Sequence, residues 1–198
     1  RKQTGTIAMP RGIPVTGTVL GSEGSPVADA VIAWHDGPNF GQHQKTVRTD
    51  AAGRFRLPPQ RPGVRPLLVF ARGHAPHRQV LDLFREPEEV LVRLSAGVPV
   101  VLYSVDDRGE ILPGVSVTIN AWQGREALQQ LSPKDLAAAG ISTRTDDAGA
   151  WQWQTSPEDQ LTVTLYHSDD YAAVDSLRLV APDEKVVTLD RITTRGNE

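Results

Sequence analysis

Thr49-Asp50-Ala51-Ala52-Gly53-Arg54-Phe55 returns later in the chain as Thr145-Asp146-Asp147-Ala148-Gly149-Ala150-Trp151. The residue types describe a hairpin. Aspartate caps its own backbone in the turn, glycine supplies a positive φ, and a half-buried strand follows. Phe55 and Leu57 share one face of the first such strand; Trp151 and Trp153 share the matching face of the second. The repeated heptad therefore sets a register between two halves of the 198-residue chain.

Working outward from it, more pieces pair up. Upstream, Val15-Thr16-Gly17-Thr18-Val19 reads as a strand, residues 21–26 as a turn, and Ala28-Asp29-Ala30-Val31-Ile32-Ala33-Trp34 as a second strand. The later half answers with a strand at 100–105, the turn Asp106-Asp107-Arg108-Gly109, and Pro113-Gly114-Val115-Ser116-Val117-Thr118-Ile119. Downstream, Leu67-Leu68-Val69-Phe70-Ala71 with Gly73-His74 matches residues 161–166 with Asp170-Tyr171. Val90-Leu91-Val92-Arg93-Leu94 and Val186-Val187-Thr188-Leu189 close the two halves. About seven short strands per half, turn signals between them and no sustained helical period predict an all-β chain of two tandem Greek-key, Ig-like sandwiches.

One stretch breaks the pattern. Ser132-Pro133-Lys134-Asp135-Leu136-Ala137-Ala138-Ala139-Gly140 has an N-capping serine, proline at the first helical position, an acid in the first turn and a stopping glycine. It predicts a short helix inserted into the second sandwich. Residues 125–131 are expected to add another turn. At the junction, Leu94-Ser95-Ala96-Gly97-Val98-Pro99-Val100 echoes Met9-Pro10-Arg11-Gly12-Ile13-Pro14-Val15, with Ile7 and Met9 in the places of Val92 and Leu94. The expected organisation is residues 1–12 as a closing strand or linker from a preceding repeat, 13–97 as the first sandwich, 98–191 as the second with a helical insertion at about 124–140, and 192–198 as a tail. A start at Arg1, with no signal peptide in view, reads as a fragment of a longer protein.

Composition removes several function classes. There is no cysteine, so disulfides, cysteine-ligated zinc and a cysteine nucleophile are excluded. No apolar run is long enough to span a membrane as a helix. The net charge of -3 hides an asymmetry: to Gly97 there are 13 Lys+Arg against 8 Asp+Glu, and beyond it 8 against 16. The basic residues are mostly single arginines without interleaved aromatics, which argues against a nucleic-acid partner.

The order of these motifs resembles the carboxypeptidase regulatory-like domain, a transthyretin-like (prealbumin-like) β-sandwich, twice over. The resemblance runs through Gly17-Thr18-Val19, the turn Gly24-Ser25-Pro26, Ala30-Val31, Thr49-Asp50-Ala51-Ala52-Gly53-Arg54-Phe55, Gly73-His74 and Val92-Arg93-Leu94. The second half departs further, with Trp151 for Phe and Asp170-Tyr171 for Gly-Tyr. It is also similar to a variant found in large bacterial surface or signalling proteins, through Trp122-Gln123-Gly124, Trp151-Gln152-Trp153 and Pro157-Glu158-Asp159. The resemblance implies a non-catalytic accessory domain of an extracytoplasmic (cell-surface, secreted or periplasmic) protein and no peptidase activity.

The residues offer little chemistry of their own. His35, His43, His74, His77 and His167 lie in or beside turns without a spacing that demands a metal, so no metal or other cofactor is expected. The pairs Asp106-Asp107, Asp146-Asp147 and Asp169-Asp170 sit where turns favour aspartate, and neighbours along a strand point apart. No Gly-x-Ser-x-Gly or activating histidine marks a nucleophile, so no catalytic residue is assigned. Trp34 and Trp122 each end a strand beside a polar loop. Two readings stand for them: a plug for the sandwich end or interdomain joint, and a ligand-binding platform shared with His35, Asn39, Gln42 and Gln123.

The leading expectation is a structural or interaction repeat module whose partners are other domains of its own chain. The alternatives are a carbohydrate- or peptide-binding accessory domain of a multidomain enzyme, with a glycan or protein ligand, and a sensor or regulatory ectodomain. An enzyme in its own right would need a cleft of convergent polar groups.

Overall fold

The computed structural model describes residues 11–35, 44–85, 87–122, 125–126, 132–158, 160–168, 170–180 and 182–191. The elements are β1 (Ile13–Leu20), β2 (Val31–His35), β3 (Gln44–Arg48), β4 (Arg54–Gln60), β5 (Val64–Phe70), β6 (His77–Asp82), β7 (Val90–Arg93), β8 (Val98–Asp106), β9 (Ser116–Trp122), β10 (Arg125–Glu126), α1 (Pro133–Ala138), β11 (Ala150–Ser156), β12 (Gln160–Tyr166), β13 (Val174–Val180) and β14 (Asp183–Leu189). The chain is all-β with one short helix, and its strands form two sandwiches in series.

Strand order returns position for position. The first sandwich packs β4-β1-β7 on β3-β2-β5-β6; the second packs β11-β8-β14 on β10-β9-β12-β13. In each, the first strand pairs antiparallel with its fourth-position partner and parallel with the closing strand: β1 with β4 and β7, β8 with β11 and β14. The mixed pairing follows from the crossover that brings the last strand back beside the first, running parallel to it.

The aspartate turns fix this register. Asp50 Oδ1 accepts from the amides of Ala52 and Arg54, both at 2.9 Å. Asp146 Oδ1 accepts from Ala148 at 3.0 Å and Ala150 at 2.9 Å. Gly53 and Gly149 hold φ of +71° and +69°, and their carbonyls receive the amides of Val19 and Ser104. A Cβ on Gly53 would sit 2.5 Å from the Val19 carbonyl oxygen, so conformation and contact both require glycine there. Asp106 repeats the turn, accepting from Arg108 and Glu110 at 2.9 and 2.8 Å.

The threonine before each aspartate is buried and ties this hairpin to the segment that leads into β2 or β9. Thr49 Oγ1 accepts from Ala30 N at 2.9 Å and donates to Val27 O at 2.7 Å. Thr145 Oγ1 accepts from Val115 N at 2.9 Å and donates to Leu112 O at 3.3 Å. The second strands begin later than the sequence pattern predicts, at Val31 and Ser116, because Asp29 and Gly114 take positive φ and the chain wraps onto these threonines.

Helix α1 forms as its capping residues predict. Ser132 Oγ accepts from Asp135 N at 3.2 Å, proline occupies the first turn, and Gly140 follows with φ +79°. The further helical turn expected from 125–131 is corrected in part. Arg125 and Glu126 pair as β10 with Trp122 and Ala121, because an edge strand there satisfies the backbone of β9; residues 127–131 lie outside the described residues. So do residues 1–10 of the closing strand or linker expected from a preceding repeat over 1–12, and residues 192–198.

Candidate functional site

Two strands of the first sandwich are covered on both faces. Val31, Ile32, Ala33 and Trp34 of β2, and Leu67, Leu68, Val69 and Phe70 of β5, are all buried. Ile32, Trp34, Leu67 and Val69 belong to the first sandwich's own core. Val31, Ala33, Leu68 and Phe70 belong instead to the core of the second, together with Trp122, Ala139, Ile141, Trp151 and Trp153. One apolar cluster thus crosses the boundary between the sandwiches. Fully burying a Val, Leu, Ile or Phe side chain in it contributes about 1.5–3 kcal/mol.

The joint is close-fitting. Phe70 meets Trp122 edge-on, with ring centroids 6.0 Å apart at 85°. Phe70, Ala71, His74 and Pro76 face Ala139, Ile141 and Trp153 around a gap too small for water. The segment after α1 supplies Ala139 and Ile141, so the insertion serves as packing material for the joint. Trp151 Nε1 donates to Ser142 O at 2.7 Å and fastens that segment to β11. At the rim, Arg48 pairs with Asp135 at 3.5 Å; partly exposed, the pair contributes about 0–1 kcal/mol.

The same positions in the second sandwich are polar. Pairing aligns Val31 with Phe70 and Ala33 with Leu68; on the second sheet it aligns Ser116 with Tyr166 and Thr118 with Thr164. Those four are exposed or half-exposed, and Asn120 Nδ2 donates to Thr164 Oγ1 at 2.7 Å on that face. The first sheet's outer face is built for docking and the second's for solvent.

Trp34 and Trp122 are each 2% exposed, so neither indole forms the exposed stacking platform that was one of the two readings for them. Trp34 shares the inward phase of Ile32. Trp122 turns inward because β9 slips one residue against β12 between Ile119 and Ala121. His35 closes β2. Asn39, Gln42 and Gln123 lie outside the described residues, as does His43. Of the expected ligand-binding residues whose side chains are described, Trp34 belongs to the first core and Trp122 to the second.

The remaining histidines are scattered. His77 on β6 is half-buried, and desolvation holds its pKa below the ordinary 6.5. The His167 ring rests 5.2 Å from that of Tyr171. Among the described residues, no group of three or more His, Cys, Asp or Glu is placed to hold a metal.

Sequence reasoning missed an ionic latch. Asp106, 1% exposed, accepts from Arg191 at 3.0 Å; Arg191 also approaches Asp107 at 3.8 Å and lies 5.4 Å over the Tyr171 ring. Burial opposes ionisation of Asp106. The amides of Glu110 and Arg108, then Arg191, outweigh it and hold the carboxyl below its ordinary range. The same carboxylate holds the Arg191 pKa above its ordinary value. In the first sandwich the corresponding turn has Gly21, without a side chain to latch.

A groove of about 590 Å³ runs beside β9, lined by Ser116, Thr118, Leu136, Ile141, Thr143 and Arg144 among others. Its described lining offers hydroxyls, aliphatic groups and one guanidinium, without an acid–base pair.

Residues 14–101 match the family model of the carboxypeptidase regulatory-like domain. No curated protein matches the sequence. Among solved structures, the chain is similar to the TIE protein of Bacillus anthracis, at 16% identity and TM-score 0.35, over 92% of this chain and 34% of that one. It is similar to a streptococcal ancillary pilin at 11% identity and TM-score 0.39, over 91% and 62% of the two chains. It is similar to the shaft pilin SpaA of Lactobacillus rhamnosus GG at 13% identity and TM-score 0.39, over 91% and 98%. The chain thus spans about a third of the first of these and less than two thirds of the second.

Proposed function

We propose that the chain is a pair of carboxypeptidase regulatory-like domains, 13–97 and 98–191, acting as a rigid, non-catalytic structural and interaction unit of a larger extracytoplasmic bacterial protein. The observation that carries this reading is the shared core. Independent beads on a string keep separate cores joined by a solvated linker. Here Val31, Ala33, Leu68 and Phe70 leave the first core for the second. The connection between the sandwiches is also pinned: a Cβ on Gly97 would fall 2.3 Å from the Thr155 carbonyl carbon, so the chain lies flat against the end of β11. A unit of this kind transmits orientation from one end to the other, as a spacer must, and its partners are the neighbouring domains of the same chain.

The test is rotational diffusion of the two-sandwich chain by backbone 15N relaxation. A single anisotropic tensor fitting both sandwiches is the expected result. Separate correlation times for 13–97 and 98–191 would contradict the rigid-unit reading.

A further inference from the structure

The two sandwiches also differ on the opposite side, where β4-β1-β7 and β11-β8-β14 turn an outer face to solvent. Pairing aligns Thr16 with Arg56, Thr18 with Arg54 and Leu91, and Leu20 with Arg93 on the first. It aligns Val101 with Gln152 and Glu184, Tyr103 with Val186, and Val105 with Thr188 on the second. The first face thus carries exposed Arg54, Arg56 and Arg93 against Glu89, which accepts from Thr18 Oγ1 at 2.8 Å. The second replaces the threonines of the central strand by Val101 and Tyr103, and Arg56 by Gln152. Its exposed aliphatic is Val186, at 65%, and Glu184 is its charged group among the described residues.

We infer that the second sandwich's face binds the first sandwich's face of another copy of this chain, head to tail. Charge complementarity selects this occupant. The half of the chain to Gly97 carries an excess of five positive charges and the rest an excess of eight negative ones. Within one chain the two halves meet through an apolar joint rimmed by Arg48–Asp135, so the arginines of the β4-β1-β7 face remain directed outward. Guanidinium groups stack on an aromatic ring and pair with a carboxylate, and Tyr103 and Glu184 offer both on one face. Two copies of the second face would bring Glu184 toward its twin in an acidic half, which disfavours a symmetric pair. Three strands spaced at about 4.8 Å give a face of roughly 350 Å², well under the ~800 Å² per partner of a stable complex. Association is therefore weak, concentration-dependent and governed by salt. Because the contact is heterologous, it propagates into a filament or closes into a ring.

Sedimentation velocity of the full chain over a concentration series tests this at low and at physiological salt. Wild type is expected to associate at low salt and dissociate as salt rises. R54S/R56S and Q152K/V186K, all at exposed positions, should each be monomeric and should melt like wild type. Mixed in equal amounts they should form a dimer that does not grow, since one keeps the second face and the other keeps the first. Wild type that stays monomeric at low salt overturns the inference. So does R54S/R56S associating by itself as strongly as wild type, which would indicate a symmetric contact through the second face.

Discussion

The ring of Phe70 and the indole of Trp122 stand edge to face, 6.0 Å apart, although one leaves β5 of the first sandwich and the other ends β9 of the second. Phe70 is 1% exposed and Trp122 2%. An aromatic pair in this geometry contributes about 0.5–1.5 kcal/mol beyond its area, and cutting a buried Phe or Trp to Ala costs about 3–5 kcal/mol.

The first prediction follows from that pair. Wild type should unfold in urea as one transition followed by probes in either sandwich. F70A should destabilise by about 3–5 kcal/mol, and the F70A/W122A cycle should return a coupling of about 0.5–1.5 kcal/mol. Near-zero coupling would show that the two rings share a cluster without sharing energy.

Much of this joint was visible in the sequence, though in a form easily passed over. Val31-Ile32-Ala33-Trp34 and Leu67-Leu68-Val69-Phe70 are unbroken apolar runs. Their counterparts alternate, as Val117-Thr118-Ile119 and Leu161-Thr162-Val163-Thr164-Leu165. A continuous run marks a strand buried on both faces and an alternating one a strand buried on one. The Thr-Asp-x-x-Gly turns were legible because local hydrogen bonding and a positive φ depend on neighbours in sequence. The inward turn of Trp122 was not, because it depends on a one-residue slip against β12 that only pairing creates. Nor was the Asp106–Arg191 latch, whose partners lie far apart along the chain.

The second prediction concerns the buried threonines. Valine is nearly isosteric with threonine but leaves an amide and a carbonyl unpaired, and each orphaned buried group costs about 1–3 kcal/mol. T49V should strand Ala30 N and Val27 O, and T145V should strand Val115 N. Each should destabilise by roughly that amount, while T49S and T145S lose far less. Hydrogen exchange at Ala30 and Val115 should accelerate most. A T49V protein as stable as wild type would show that the backbone finds another partner.

The third prediction is pH dependence from the latch. Because the folded protein holds the Asp106 carboxyl below its ordinary 3.8, the unfolded chain takes up that proton first as pH falls. The latch's contribution is complete above pH 3.8 and is lost as pH drops through the lowered value. D106N should lower the urea midpoint at neutral pH and flatten its decline below pH 4, roughly the range where ordinary aspartates titrate. An unchanged slope in D106N would assign the acid sensitivity to other carboxylates. His77 acts at milder pH with the same sign: burial lowers its pKa, so the unfolded chain binds its proton first and stability falls as pH drops through 6.5.

The fourth prediction uses the tryptophans as reporters. Trp34, Trp122, Trp151 and Trp153 are each 2% exposed or less. Intrinsic emission should be blue-shifted and poorly quenched by iodide, and oligosaccharides should leave it unchanged. Saturable quenching by a glycan would revive a stacking role for one of these rings.

The last prediction makes the first sandwich resemble the second where they differ most. Leu68 and Phe70 occupy the face positions of Thr164 and Tyr166. L68T/F70Y transplants the polar pair onto β5. The first sandwich keeps its own core, since Ile32, Trp34, Leu67 and Val69 point the other way, so it should still fold. The joint, however, loses apolar contact and must bury a hydroxyl and a phenol opposite Trp122, Ile141 and Trp153, where unpaired polar groups cost about 1–3 kcal/mol each. Backbone relaxation should then show two correlation times where wild type shows one, and amides on either side of the joint should exchange faster while those of β1 and β8 do not. If L68T/F70Y still tumbles as one body, rigidity resides in the short connection at Gly97 and not in the shared core.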